Sequence, residues 1–193
     1  MAKVKLPNGA VLEAPDGTNA YQFAEMIGAG LARAALAARI NDKMVDLSTP
    51  IAGEVSLQII TNKDAAGVEI LRHSCAHIMA EAICSLWPNT RLVYGPTVAD
   101  GFYYDVDLDT PIRPEDFPKI ESKIAEIIKA DRPFERIEMN RDEARQKMAG
   151  DVYKLDNIDR ATGDVISFYR QGDGFMDLRS EEHTSELQSR ITI

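Results

Sequence analysis

The chain has 193 residues, of which 45% are hydrophobic and 27% charged, as expected for a folded globular protein of one or two domains. Its formal net charge of -9 argues against indiscriminate binding to nucleic acid, so such a partner would require a local basic surface or help from another region. Residues 1–12 contain no apolar run long enough for a signal peptide, and no segment reaches the length of a membrane span. We therefore expect a cytoplasmic protein with no membrane contact.

The first sixty residues combine short strands, turn signals and one helix. The dipeptide Asn8-Gly9 is typical of a tight hairpin turn. Thr18 is the expected N-cap of a helix over 20–27, and Asn41-Asp42 marks a second hairpin turn. The run 31–38 fits either a short helix or the approach to a strand. The predicted strands are 3–6, 10–14, 39–40, 44–45 and 55–61. This order predicts a β-grasp domain.

A long helix over about 64–87, ended by Pro88, carries the most distinctive pattern in the chain. His73 and His77 are four residues apart, so their side chains are neighbours one turn apart. The opposite face carries an apolar stripe formed by Leu71, Cys75, Ile78, Ala82 and Leu86. The face of the histidine pair is completed by small and apolar residues, which suits the floor of a pocket. A purely structural histidine pair is the alternative, and the spacing alone does not decide between them.

The two cysteines give no disulfide and no obvious metal site. Cys75 and Cys84 are nine residues apart on this helix, about 13 Å by helical rise, which is too far for a disulfide. Neither completes a metal site with the histidine pair, and no glutamate follows His73 as it does in the zinc-protease helix. The sequence therefore predicts no bound metal.

The rest of the chain alternates strand-like and helical segments up to residue 178. Pro114 opens a predicted helix over 115–129, and a shorter helix is predicted over 141–149. The strand-like segments are 91–94, 101–106, 134–139, 153–158, 165–169 and 175–178. From Arg179 the sequence is polar and without sustained pattern, so we interpret 179–193 as a foreign or disordered tail.

Several motifs in one order resemble a known family. They are His73-Ser-Cys-Ala-His77, Leu86-Trp-Pro88, Gly101-Phe-Tyr-Tyr-Asp-Val-Asp-Leu108, Pro114-Glu-Asp-Phe117 and Tyr153-Lys154. Over residues 1–178 the chain resembles the N-terminal third of bacterial threonyl-tRNA synthetases. The resemblance implies an α+β protein with a β-grasp TGS domain over 1–62. It also implies an incomplete editing domain over 63–178, with the long histidine-bearing helix against an antiparallel sheet.

The resemblance also implies an activity for the second domain, hydrolysis of serine wrongly esterified to threonine tRNA. One missing methyl group discriminates by only about 1–3 kcal/mol, so a second site must correct the error. His73 and His77 would position or activate water, Lys154 would stabilise negative charge, and Asp177 would orient water or hold the substrate amine. Tyr104 would bind substrate. The residues alone also allow a core aromatic at Tyr104, a surface charge at Lys154 and a turn residue at Asp177.

The resemblance fails immediately after Leu178. There the family carries Cys-Arg-Gly-Pro-His, whereas this chain has Arg179-Ser-Glu-Glu-His183, so only His183 falls in register and we interpret that match as coincidence. Editing by this chain alone is therefore in question. The aminoacylation core, with its ATP, magnesium and zinc, would lie outside the chain, and we expect no cofactor within it. Threonine tRNA is the expected partner, with a homodimer expected only for the full-length enzyme. The alternatives are a free-standing trans-editing hydrolase and a non-enzymatic, RNA-binding TGS module.

Overall fold

The computed structural model describes residues 1–95, 97–132, 134–172 and 175–178. They fall into two compact units, the first ending at Leu71 and the second beginning at Arg72. The interpretation of 179–193 as a tail, and the comparisons at Arg179 and His183, lie outside the described residues. No helix within the described ranges is both long and apolar enough to cross a membrane.

The first unit is built on a five-stranded mixed sheet. Its strands are β1 (Ala2–Lys5), β2 (Val11–Ala14), β3 (Ala35–Ile40), β4 (Lys43–Val45) and β5 (Glu54–Thr61), and its helices are α1 (Ala20–Ile27) and α2 (Ala29–Ala34). The spatial order is β2-β1-β5-β3-β4, with β1 and β5 parallel and the other neighbours antiparallel. Phe23 of α1 is fully buried in a core that includes Val4 and Leu57 of the sheet. This is the expected α+β arrangement of strands and helix.

Turn and cap chemistry explains how the first unit is connected. Asn41 and Asp42 both have positive φ, 47° and 66°, as a two-residue hairpin turn between β3 and β4 requires. The expected N-cap at Thr18 is wrong. Asn19 caps α1 instead, because its side chain accepts from the Gln22 backbone N–H at 2.9 Å while the Gln22 side chain accepts from the Asn19 N–H. The ambiguous run 31–38 is divided between α2 and β3.

The long helix α3 (Ala65–Leu86) has 22 residues and ends before Pro88, close to its predicted limits. Asp64 precedes it and accepts hydrogen bonds from the Thr61 backbone N–H at 2.8 Å and the Thr61 hydroxyl at 3.0 Å. These contacts hold the end of β5 against the first turn of the helix. Gly67 lies so close to the Thr61 carbonyl that an added Cβ would overlap it.

Replacing Gly67 with alanine is therefore expected to destabilise the protein by about 1–3 kcal/mol, since the new methyl group must displace the β5 backbone. Helix propensity alone predicts the opposite sign, a gain of up to about 1 kcal/mol. The matched control is Gly30→Ala in α2, where an added Cβ meets nothing within 4 Å. Urea unfolding followed by far-ultraviolet circular dichroism should separate the two variants, and equal stabilisation of both would contradict the packing argument.

The second unit combines α3 from Arg72 onward with three small antiparallel sheets. Its further strands are β6 (Arg91–Tyr94), β7 (Thr97–Val98), β8 (Gly101–Phe102), β9 (Asp105–Asp107), β10 (Phe134–Asn140), β11 (Val165–Gln171) and β12 (Phe175–Leu178). Its further helices are α4 (Phe117–Lys129), α5 (Arg141–Lys147) and α6 (Val152–Arg160), with a 3-10 turn at Pro114–Asp116. Strands β10, β11 and β12 form one sheet in that order, while β6 pairs with β9 and β7 with β8.

Two predicted strands differ from the structure. The segment 153–158 is helical and lies within α6, because the Asp151 carboxylate accepts from the backbone N–H groups of Tyr153 and Lys154, both at 3.1 Å. The segment 101–106 is not one strand, since β8 and β9 pair with different partners on either side of residues 103–104. Both differences bear on the site, because they place Lys154 on a helix and Tyr104 in a connection between two ribbons.

Candidate functional site

Asp177 is the centre of a buried polar cluster in the second unit. It lies on β12 opposite Tyr169 of β11 and has no exposed surface. Its Oδ1 accepts from Lys154 Nζ and from the Leu178 backbone N–H at 2.8 Å, and its Oδ2 accepts from the Tyr104 hydroxyl. Burial of a carboxylate costs free energy unless it is paired and hydrogen-bonded, so these donors explain how Asp177 can be buried as a carboxylate.

The histidine pair of α3 lies directly against this carboxylate. His77 is only 5% exposed, and its Nδ1 lies 3.4 Å from Asp177 Oδ2, an ion-pair distance without hydrogen-bond geometry. His77 Nε2 and His73 Nε2 are 3.1 Å apart and share one hydrogen bond. The Tyr169 ring packs edge-on against both imidazoles, with centroid distances of 5.6 Å to His73 and 5.5 Å to His77. Tyr169 thus covers the buried His77 ring, whereas His73 remains partly exposed.

Helix α6 is anchored so that Lys154 reaches Asp177. The Tyr153 hydroxyl donates to Asp107 of β9 at 3.0 Å, and the Asn157 side-chain amide donates to the Val93 carbonyl of β6 at 2.8 Å. Lys154 is 5% exposed and shares its helix face with the buried Ile158. The surface role that Lys154 allowed from sequence alone is therefore wrong, as is the turn role for Asp177, which lies within a strand.

The five residues singled out from the sequence converge in space. His73 and His77 come from α3, Tyr104 from the β8–β9 connection, Lys154 from α6 and Asp177 from β12. Each lies within one polar contact of another member. Tyr104 is also in the apolar core, packed against the cluster of Ala80, Leu92 and Phe175, so the core and polar interpretations of this residue both hold.

Electrostatics fixes the protonation states of the acidic members. Burial opposes ionisation of Asp177, but the Lys154 charge and the His77 ring outweigh it and hold the pKa of Asp177 below its ordinary value. Burial, with the adjacent negative charge of Asp177, raises the pKa of Tyr104 well above its ordinary value. Asp177 is therefore a carboxylate and Tyr104 a phenol throughout the neutral range, so Tyr104 remains a hydrogen-bond donor.

The nearby thiol is not a nucleophile at neutral pH. Burial, reinforced by the charge of Asp177, raises the pKa of Cys84 to about 11, and the thiolate is the reactive form. Burial also raises the pKa of Cys75. Within the ranges that the structure describes, no three His, Cys, Asp or Glu side chains are grouped so that they could hold a metal ion.

Two residues of the site, Tyr169 and Gly95, were not predicted as site residues from the sequence. Tyr169 closes over both imidazoles, yet it stood only as the last residue of a predicted strand. Its alternation with Gln171 was the available clue, since both project from the same face of β11. Gly95 follows β6 and touches the Tyr104 ring so closely that an added Cβ would overlap it.

Replacing Gly95 with alanine is expected to push the Tyr104 ring away from Asp177 and to cost about 1–3 kcal/mol. The only tryptophan, Trp87, follows α3 in the second unit, so its fluorescence during urea unfolding reports the effect. Gly101→Ala is the matched control because nothing lies within 4 Å of its added Cβ. Equal stability of the two variants would show that Gly95 is not needed to seat Tyr104.

The chain is similar to known proteins over nearly its whole length. Residues 2–61 match the family described as TGS domain. The chain is 44% identical over 183 residues to the threonine--tRNA ligase of Rubrobacter xylanophilus, an alignment that covers 95% of this chain and 28% of the ligase. The ligases of Citrifermentans bemidjiense and Laribacter hongkongensis are 43% and 44% identical, over 93% and 95% of this chain and 28% and 29% of their own lengths.

These ligases are thus much longer than the chain, which spans less than a third of their length. The alignments include α3, α6 and the strands that bear the cluster, because they cover more than nine-tenths of the chain. Residues 2–61 thus match a TGS domain, and over nearly its whole length the chain is similar to part of these threonine--tRNA ligases.

Proposed function

We propose that this chain is part of a cytoplasmic threonine--tRNA ligase in which residues 1–62 form the TGS domain and residues 63–178 an editing domain. The editing domain would hydrolyse the ester that joins serine to threonine tRNA. The observation that carries the proposal is the single buried cluster in which Asp177 contacts Lys154, Tyr104 and His77, and His77 contacts His73. Ionisable groups brought together in this way are typical of acid–base sites.

The arrangement of the two imidazoles suggests how a proton could move. A carboxylate facing His77 Nδ1 favours the tautomer with its proton on that nitrogen, so His77 Nε2 accepts from His73 Nε2–H. In this scheme His73 would remove a proton from the attacking water. The imidazolium that forms would be stabilised through His77 by the Asp177 charge. The water oxygen bonds to the ester carbonyl carbon, the bond from that carbon to the ribose oxygen breaks, and the ribose oxygen leaves with the proton that His73 had taken from water.

Lys154 and Tyr104 would supply the electrostatic part of the reaction. An ammonium has three N–H donors, and Asp177 takes one of them, so the others can donate to the oxyanion of the tetrahedral intermediate. Asp177 keeps the Lys154 charge in the interior, and the Tyr104 phenol holds the Asp177 oxygen that faces His77.

The other activities of the relatives belong to regions outside this chain. In this proposal aminoacylation, with ATP, magnesium and zinc, takes place in the remainder of the ligase, more than two-thirds of its length, which also forms the homodimer. The TGS domain would contribute to contact with threonine tRNA. The formal charge of -9 makes a non-specific tRNA interaction by this part weak, so binding energy must come mainly from the 3′ end and from the rest of the ligase.

The test is hydrolysis of threonine tRNA esterified with serine, with the threonyl ester as comparison. We expect the chain, or a version extended by the segment that follows in its relatives, to release serine from the tRNA faster than the uncatalysed rate. The threonyl ester should be hydrolysed no faster than without the protein. Release only by the extended version would indicate that the site is completed by that segment. Uncatalysed rates with both versions would reject the proposal, and tRNA binding without release would favour an RNA-binding module instead.

A further inference from the structure

A second buried polar cluster lies one helical turn beyond the histidine pair. Arg132 Nη2 donates to Glu81 Oε1 of α3, and Arg132 Nη1 donates to the Gln171 backbone carbonyl of β11 at 3.5 Å. Glu81 is 7% exposed and Gln171 is 3% exposed. Arg132 itself is a third exposed, so it reaches this cluster from the surface.

The position of the cluster relates it directly to the imidazoles. Glu81 is four residues after His77 on α3, and Gln171 is two residues after Tyr169 on the same face of β11. The Arg132 guanidinium therefore joins helix and strand at the step next to the contact between the rings of His77 and Tyr169. A change in the distance between α3 and β11 at Arg132 is therefore expected to alter the contact between the His77 and Tyr169 rings.

The backbone beside Arg132 is shaped to receive it. Gly172 has a φ of 60°, a left-handed conformation that favours glycine, and an added Cβ would lie 3.0 Å from Arg132 Cδ and 3.1 Å from Nη1. The guanidinium thus occupies the space that a side chain at residue 172 would fill. This close fit distinguishes Arg132 from arginines that form ion pairs on the open surface.

The ion pair of Arg132 with Glu81 requires a carboxylate to be buried between α3 and β11, which costs free energy. Glu81 is almost fully buried, and its Oε2 has no hydrogen-bond partner among the described residues. Buried ion pairs often stabilise a fold less than apolar residues of similar size would, so stability alone does not account for this one. What the pair does provide is a fixed register, because a planar guanidinium bonded to two elements tolerates little sliding between them.

We propose that Arg132 is a positioning residue that sets the register of α3 on β11 and so holds His77 against Tyr169 and Asp177. This inference rests on the proposed function for its catalytic consequence. Arg132 does not touch the imidazoles and would act only through the two elements it joins. Its removal should therefore change the rate of the chemical step more than the affinity for substrate.

The test compares Arg132→Met, Arg132→Lys and the control Arg170→Met. Arg170 lies between Tyr169 and Gln171 on β11 but faces the other side of the sheet, where it forms an exposed pair with Glu135. We expect Arg132→Met to move the ring-proton resonances of His77 and to lower kcat for seryl-tRNA hydrolysis on the order of tenfold, with KM unchanged. Arg132→Lys should have smaller effects than Arg132→Met on the His77 resonances and on kcat. Arg170→Met should change neither the His77 resonances nor kcat.

The two readouts separate this inference from the proposed function. If the wild-type chain and its extended version do not hydrolyse seryl-tRNA, the proposed function fails, and the resonances of His77 still decide whether Arg132 positions the ring. A variant Arg132→Met that is merely less stable, with unchanged His77 resonances and kcat, would overturn the inference. So would an equal effect of Arg170→Met on the His77 resonances.

Discussion

Replacing Lys154 with methionine should lower the free energy of unfolding of the second unit by about 3–5 kcal/mol. The variant leaves the Asp177 carboxylate fully buried without its counter-ion, and the Tyr104 and Leu178 donors cannot supply a full positive charge. Methionine fills nearly the same volume, so the loss reports charge rather than packing. Urea unfolding followed by Trp87 fluorescence measures it in this unit.

Two further variants identify the origin of that loss. Lys147→Met removes an exposed lysine from α5 and should change the free energy of unfolding by no more than about 0.5 kcal/mol. In the background of Asp177→Asn, the change Lys154→Met should cost much less than it does in the wild-type chain, because the carboxylate is no longer present. An equal cost in both backgrounds would show that Lys154 does not act through Asp177.

The pH dependence of the same experiment follows from the direction of the Asp177 shift. The pKa of Asp177 is lower in the folded protein than in the unfolded chain, where it is about 3.9, so its contribution to stability is present above that value. The contribution is lost as the pH falls below that value and the folded carboxylate takes up its proton. The difference in stability between wild type and Lys154→Met should therefore narrow below about pH 4.

The sequence predicted the elements near the site better than their contacts. The long helix followed from its length, its apolar spacing and Pro88, and the structure places its ends within one residue of the prediction. Helix α6 was missed because Val152, Tyr153 and Ile158 favour strands, whereas the single signal for a helix was the cap at Asp151. In this segment the residue types favour a strand and the cap favours a helix. The helix forms because of the cap at Asp151 and the burial of Ile158.

Burial of charge was the least predictable property. Lysine and aspartate are mostly exposed, so the residues alone favoured a surface role for Lys154 and a turn role for Asp177. Their pairing depends on contacts across 23 positions of sequence, and the contact of Tyr104 with Asp177 spans 73 positions. The spacing of residues within one helix or strand cannot reveal such contacts. The resemblance to the family therefore predicted Lys154 and Asp177 as site residues, whereas the hydrophobic pattern did not.

Replacing His77 with alanine should lower the rate of seryl-tRNA hydrolysis by on the order of 10²–10⁴-fold. His77 contacts both the Asp177 carboxylate and His73, so its loss disconnects His73 from the negative charge that would stabilise an imidazolium there. In a full-length ligase the same change should leave aminoacylation intact and allow seryl-tRNA to accumulate.

A neighbouring variant controls for damage to the helix. Cys84→Ala lies nearly two turns beyond His77 on α3, and its protonated thiol has no part in the proposed chemistry, so its hydrolysis rate should stay within about twofold of wild type. Trp87 fluorescence during urea unfolding shows whether either variant has lost its fold. A folded His77→Ala protein that clears seryl-tRNA at the wild-type rate would remove His77 from the reaction. The Asp177 cluster would then be a device for packing α3, α6 and β12 together.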